Sequence, residues 1–138
     1  MTTILCVEDD AQQLNLYRRL LEEQGYAVLT AENGLTGLAL LQSNRVDLVL
    51  TDIIMPDMDG VELICRILAM RPPPVIVAIS GGGQYLTGLS LLKTVGLMGV
   101  RHTLLKPFTG KILLNAVWRA LQDTTPDTNR VQAAIGWN

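Results

Sequence analysis

Five short apolar runs recur along the chain, and a stretch with helical spacing separates each from the next. The runs are TILCV (3–7), YAVLTA (26–31), VDLVLT (46–51), PVIVAI (74–79) and HTLLK (102–106). Runs this short and this rich in Val, Ile and Leu read as strands, and the near-continuous PVIVAI suits a strand buried on both faces. Between them, DAQQLNLYRRLLEEQG places Leu14, Tyr17, Leu20 and Leu21 on one helical face and stops at Gly25. NGLTGLALLQSN aligns Leu35, Leu38, Ala39 and Leu41, and DGVELICRILAMR aligns Leu63, Ile64, Ile67 and Leu68. GGGQYLTGLSLLKTVG is a glycine-rich loop opening a weaker helix. The last helix, TGKILLNAVWRALQD, has the cleanest stripe, with Ile112, Leu113, Ala116, Val117, Ala120 and Leu121. Strand and helix alternating five times predicts a parallel sheet covered on both faces, and right-handed crossovers leave few topologies.

A chain of 138 residues holds one such domain. The expected boundaries are residues 1–122 for the domain and 123–138 for a polar tail broken by Pro126. A net charge of −2 with no Lys/Arg cluster gives nucleic acid nothing to bind. No apolar run approaches the ~18 residues of a membrane span, and MTTILCVEDD lacks the features of a signal peptide, so the expected location is the cytoplasm, with no membrane contact. Cys6 and Cys65 have no CxxC spacing and read as reduced core residues.

In an open parallel sheet, ligands collect outside the carboxyl ends of the strands. The first strand ends at Glu8 and Asp9, the third at Asp52, the fourth at Ser80 and the fifth at Lys106. The second ends at Thr30 and Ala31, as befits an edge. Three carboxylates brought together repel one another, and a cation relieves them. Mg²⁺ fits, because it accepts one or two protein carboxylates and keeps waters and phosphate oxygens as its other ligands. Metal, ammonium and hydroxyl together can neutralise a phosphoryl group in transfer, and a carboxylate acceptor would give an acyl phosphate. The plainer readings are that Glu8, Asp9 and Asp10 form a helix N-cap cluster, and that Asp57 and Asp59 are turn residues. On the same terms His102 is a solvated or edge residue, and Trp118 and Trp137 are packing or tail residues.

ILCVEDD, DLVLTDIIMPDMDG, VIVAIS and LLKPF, in this order and spacing, resemble the receiver domain of two-component response regulators over roughly residues 3–122. The resemblance implies a flavodoxin-like, doubly wound five-stranded parallel sheet of order 2-1-3-4-5 with five helices. It implies Asp52 as phosphoacceptor, supplied by a sensor histidine kinase or phosphotransfer protein. Glu8, Asp9, Asp52 and the backbone carbonyl of Ile54 would hold Mg²⁺, Ser80 and Lys106 would contact the phosphoryl group, and Lys106–Pro107 would be cis. An unidentified downstream protein would then dock on the face of the fourth helix, fifth strand and fifth helix. Three positions depart from the family pattern. Thr103 stands where the family usually has an aromatic switch residue, beside His102. Gly81 replaces a small alanine and opens three glycines, so residues 81–88 are expected to order on phosphorylation. Ile54 and Gly82 lie where family side chains tune water access; neither orients a water, which implies a long-lived aspartyl phosphate.

Catalysis would be confined to the chain's own phosphorylation and dephosphorylation, so no conventional enzyme is expected. An aspartate-nucleophile phosphatase would want a second acid where Ile54 stands. An unphosphorylated receiver-like interaction module and a receiver fragment of a larger regulator are the remaining alternatives.

Overall fold

All five apolar runs become strands of one parallel sheet. They are β1 (Thr3–Val7), β2 (Ala27–Ala31), β3 (Leu48–Asp52), β4 (Val75–Ser80) and β5 (His102–Leu105), ordered β2-β1-β3-β4-β5. The computed structural model describes residues 1–54, 60–81 and 92–123. Asp57, Asp59, Gly82, most of the 81–88 segment, residues 84–91 of the expected docking face, Trp137 and all of the expected tail except Asp123 lie outside the described residues.

Alternate residues of each inner strand face opposite ways, so the sheet separates two cores. Leu5, Val7, Val49, Ile64 and Ile76 belong to one. That side is covered by α2 (Gly34–Ser43), α3 (Gly60–Leu68) and helical residues 92–97, here α4. Ile4, Cys6, Leu50, Val77 and Leu113 belong to the other, under α1 (Ala11–Glu23) and α5 (Gly110–Gln122). Burying one such side chain contributes about 1.5–3 kcal/mol, which is why β-strand register here admits no one-residue slip. Among the described residues no helix is long and apolar enough to cross a membrane.

The caps follow from sequence. The side chain of Asp10 accepts from the N–H groups of Gln12 and Gln13 to open α1, Asn33 caps α2 through Thr36, and Thr109 caps α5 through Ile112. Gly25 follows α1 with φ of 91°, the left-handed stop anticipated there.

The structure corrects several packing expectations. In α2, Leu35 is 57% exposed and Ala39 is exposed, while Gly34, Gly37 and Leu41 face inward. A methyl group on Gly37 would lie 3.1 Å from Val7 Cγ2, so the helix seats Gly37 on β1; Leu41 and, in part, Leu38 pack inward as expected, and Leu35 and Ala39 turn outward. Ile112 stands half out of the α5 core. Cys6 is buried but Cys65 is exposed on α3, one residue past the buried Leu63–Ile64 pair. Trp118 is exposed on α5 rather than packed.

Candidate functional site

β1, β3 and β5 deliver charged groups to one end of the sheet because each strand is apolar until its last residues. Asp52 closes β3 opposite Ile79 of β4, and the next amide, Ile53 N–H, donates to Ile79 O at 2.9 Å. Glu8 follows β1 directly and is fixed by its N–H, which donates to Ala31 O at 3.1 Å. Lys106 follows β5, with its N–H donating to Ser80 O at 2.7 Å. The Lys106–Pro107 peptide is cis, as the resemblance implies.

The side chains then meet. Lys106 Nζ donates to Glu8 Oε1 at 2.8 Å and to Asp52 Oδ2 at 3.4 Å. Asp52 Oδ1 accepts from the N–H of Ile54 at 3.3 Å. Glu8, Asp9 and Asp52 each offer one oxygen to a group lying within 4.8 Å of one another. Glu8 and Asp52 are buried and Asp9 faces solvent, so the cluster is open on one side. A depression of about 460 Å³ lies over it, lined by Glu8, Asp9, Asp10, Asp52, Ile54, Gly81 and Lys106.

Burial pushes the Glu8 carboxyl up to about 7; its bond to Lys106 pulls it down, and the nearby Asp52 pushes it up again. Burial also works against charge on Lys106, but the bond to Glu8 and the field of Asp52 outweigh it and raise the ammonium pKa. The lysine therefore stays protonated and serves as the pocket's built-in counter-ion. Three hard oxygen donors with one open side are the set a Mg²⁺ ion takes.

Ser80 ends β4 fully buried, and its Oγ has no hydrogen-bond partner among the described residues. Such a hydroxyl ordinarily finds one. Gly81, next along, has φ of 132°, and a methyl group there would stand 2.9 Å from Lys106 N and Cβ. Glycine at this place is thus a condition of Lys106 sitting where it does.

Of the predicted switch positions, Gly81 lines the pocket, whereas Thr103 and His102 lie outside its lining. Thr103 is exposed on β5 opposite Ala78. His102 is half-buried rather than solvated, with Nε2 3.0 Å from Asp123 Oδ2; Arg101 reaches the same oxygen at 2.6 Å. That clamp joins the start of β5 to the residue capping α5, and no local pattern announces it.

Sequence reasoning also missed Gly60. A methyl group there would overlap Ile53 Cα and come within 2.5 Å of Asp52 O, so only glycine lets α3 begin against the end of β3. Its place at the start of α3, just after the acidic turn, was the available signal.

Comparison with known proteins places this geometry. The response regulator receiver domain family matches residues 4–118. The transcriptional regulatory protein GlrR of Escherichia coli is 32% identical over 126 residues, covering 91% of this chain and 28% of that protein. The DNA-binding transcriptional regulator NtrC of Azospirillum brasilense is 33% identical, covering 90% and 25% respectively. The chain thus spans about a quarter of the length of these curated relatives. Among solved structures, a response regulator receiver domain protein from Clostridium thermocellum superposes with a TM-score of 0.75 at 28% identity, covering 88% of this chain and 95% of that one. The chemotaxis response regulator CheY4 of Vibrio cholerae gives 0.74 at 27% identity, covering 87% and 98%.

Proposed function

The chain belongs to the response regulator receiver family of two-component systems, and from that premise we propose that it is a phosphorylation-controlled signalling module whose acceptor is Asp52. The observation that carries this reading is the Lys106 ammonium, which reaches Glu8 and Asp52 at once beneath an open acidic pocket.

A carboxylate oxygen of Asp52 attacks the phosphorus of a phosphohistidine presented by a sensor kinase or phosphotransfer protein. An O–P bond forms as the P–N bond breaks, and the imidazole departs with the electron pair and takes up a proton. Glu8, Asp9 and Asp52, with the carbonyl of Ile54, would hold Mg²⁺, whose charge offsets that of the transferring phosphoryl oxygens. Lys106, bonded to Glu8 and Asp52, supplies a second positive charge. Ser80 Oγ, which has no partner among the described residues, donates to a phosphoryl oxygen once one arrives. Attack by water on phosphorus restores the carboxylate, so the chemistry is confined to the chain's own phosphorylation and dephosphorylation.

The output face is β5 with α5, through His102 and Thr103, and docks a downstream protein. Without an aromatic side chain at Thr103, coupling runs through backbone movement at Gly81 and the end of β4. A second reading is favoured by the length of the relatives: the chain is the receiver segment of a longer regulator, and its first partner is an effector domain.

Intact-mass measurement after incubation with a small-molecule phosphodonor tests the proposal. One added phosphoryl group in the wild type with Mg²⁺, absent in Asp52→Asn and without the metal, is the expected outcome. An adduct on another residue, or none at all, would sink it.

A further inference from the structure

Asp123 stands where an acid is least at home. It caps the carboxyl end of α5, where the unpaired carbonyls of the last turn make the potential negative and favour a cation. α1 stops on backbone bonds, with the N–H groups of Gln24 and Gly25 donating to Leu21 O and Glu22 O. α5 needs no carboxylate to stop either, since the Asp123 N–H already donates to Ala120 O at 3.1 Å. The side chain is turned sideways instead. Its Oδ2 accepts from Arg101 Nη2 at 2.6 Å and lies 3.0 Å from His102 Nε2, and all three side chains are largely buried. A carboxylate only accepts, so the imidazole carries its hydrogen on Nε2 and donates. Two donors on one shielded carboxylate oxygen make a joint that holds direction, which a single exposed ion pair does not.

The joint sits at the far end of a short strand. β5 has four residues and closes the edge of the sheet, bonded to β4 alone. Lys106 follows its carboxyl end into the acidic pocket, while Arg101 and His102 meet Asp123 at its amino end, roughly 13 Å away at the usual rise of an extended chain. The pocket end is tied to its neighbour. Leu105 stands opposite Ser80, Lys106 N–H donates to Ser80 O at 2.7 Å, and Gly81 packs against Lys106. Between the two ends, Leu104 is the one buried side chain of β5. A strand this short, bonded on one side, shifts as one piece.

We propose that the Arg101–Asp123–His102 clamp couples the acidic pocket to the chain beyond α5, by fixing the direction in which that chain leaves the helix to the position of β5. Ser80 and Lys106 are the groups that meet a phosphoryl oxygen, and the ends of their strands are bonded to each other. A displacement there carries β5 and, through the clamp, residue 123. It does the work that a rotating aromatic side chain would do at position 103, where Thr103 has none to offer. The coupling deepens the reading of Asp52 as acceptor and rests on it.

Asp123→Ala removes the carboxylate and keeps the capping N–H. In the unloaded 138-residue chain, amide hydrogen exchange at Leu121, Gln122 and residue 123 is expected to speed up by about threefold or more in the variant. Beryllofluoride with Mg²⁺, a stand-in for the phosphoryl group, is then added and the amide resonances are followed by NMR. In the wild type the signals of Gly81, Lys106, His102 and Asp123 should move together, and those of the residues after Asp123 with them. In Asp123→Ala the pocket signals should move as before, while the displacement beyond residue 123 falls by about threefold or more. Arg101→Met and His102→Asn leave one donor each and should fall between; they decide the same question if Asp123→Ala does not fold. A wild type that responds at Gly81 and Lys106 but not beyond Asp123 overturns the coupling, and so does an Asp123→Ala that passes the whole displacement on. A wild type that responds at neither Gly81 nor Lys106 removes the acceptor reading, and the coupling with it.

Discussion

β3 has an aspartate at each end, and the chain treats them oppositely. Asp47, just before the strand, is bonded to neighbouring backbone through its carboxylate, its N–H and its carbonyl. Its Oδ2 accepts from Thr3 N–H at 2.8 Å, its N–H donates to Thr3 O at 2.9 Å, and its carbonyl accepts from Val75 N–H at 3.0 Å. It therefore ties the amino ends of β1, β3 and β4 together. The Asp52 side chain, at the carboxyl end, has among the described residues two long contacts, from Ile54 N–H at 3.3 Å and Lys106 Nζ at 3.4 Å. One acid is consumed by the fold, and the other is kept available by it. The contrast teaches that residue type and strand position do not make an acid reactive; the room left around its oxygens does.

Exchanging the roles of these two residues is the strongest way to break that contrast. Asp52→Asn should abolish the phosphoryl adduct seen by intact mass, while stability is unchanged or slightly raised, because one of three mutually repelling carboxylates is gone. Asp47→Ala should retain the adduct and lose about 1–3 kcal/mol of stability in urea, since it leaves the Thr3 amide without its acceptor. A folded Asp47→Ala that takes no phosphoryl group, or an Asp52→Asn as unstable as Asp47→Ala, would end the distinction.

The pH dependence sharpens it next. Glu8 belongs to the reactive end, and its carboxyl sits near 7, above its ordinary value of 4.5. The folded state then binds the proton more tightly than the unfolded chain. Its contribution is greatest below about 4.5 and declines as pH rises toward 7, on the order of 1 kcal/mol after screening at the open side. Lys106, raised above its ordinary value, is unaffected in this window and loses its contribution only in strong alkali. The wild type should thus lose stability relative to Glu8→Gln between pH about 5 and 7 in metal-free buffer. Stabilisation by Mg²⁺ should grow over the same range, because binding requires the deprotonated carboxylate. Parallel wild-type and Glu8→Gln curves would place the proton elsewhere.

The reactive end was more legible in sequence than the packing beneath it. Glu8, Asp9, Asp52 and Lys106 each interrupt an apolar run, and a parallel sheet brings such interruptions to one edge, so pattern alone located them. The α2 face was only partly legible: Leu38 and Leu41 pack inward as read, but the helix seats on Gly37, whose fit against Val7 is a matter of missing atoms rather than of hydropathy. Nor was the Arg101–Asp123–His102 clamp, which depends on where α5 ends relative to β5. Cys65 was misplaced by treating it as apolar without asking which side of α3 it occupies. Tyr17 was placed correctly in the core, but only coordinates reveal that its hydroxyl has no partner among the described residues.

The smallest expected effect concerns the lifetime of the modified state, and it tests whether the room around Asp52 is regulated by its neighbour. Ile54 is 50% exposed, lines the acidic depression, and holds Asp52 through its backbone while its side chain offers no hydrogen bond. With Asp52 as acceptor, an apolar side chain at the mouth would keep water off the line of attack on phosphorus and would orient none that enters. Ile54→Asn gives the same place an amide that can hold a water near that line, and the aspartyl phosphate should decay about three- to tenfold faster. Loss of the phosphorylated mass over time, after removal of donor and metal-matched buffer exchange, measures it. Ile54→Val, which shortens the side chain without adding a polar group, should change the rate much less. If both variants decay alike, access rather than orientation governs hydrolysis, and the lifetime is then set by Lys106 and Ser80 rather than by the residue beside the acceptor.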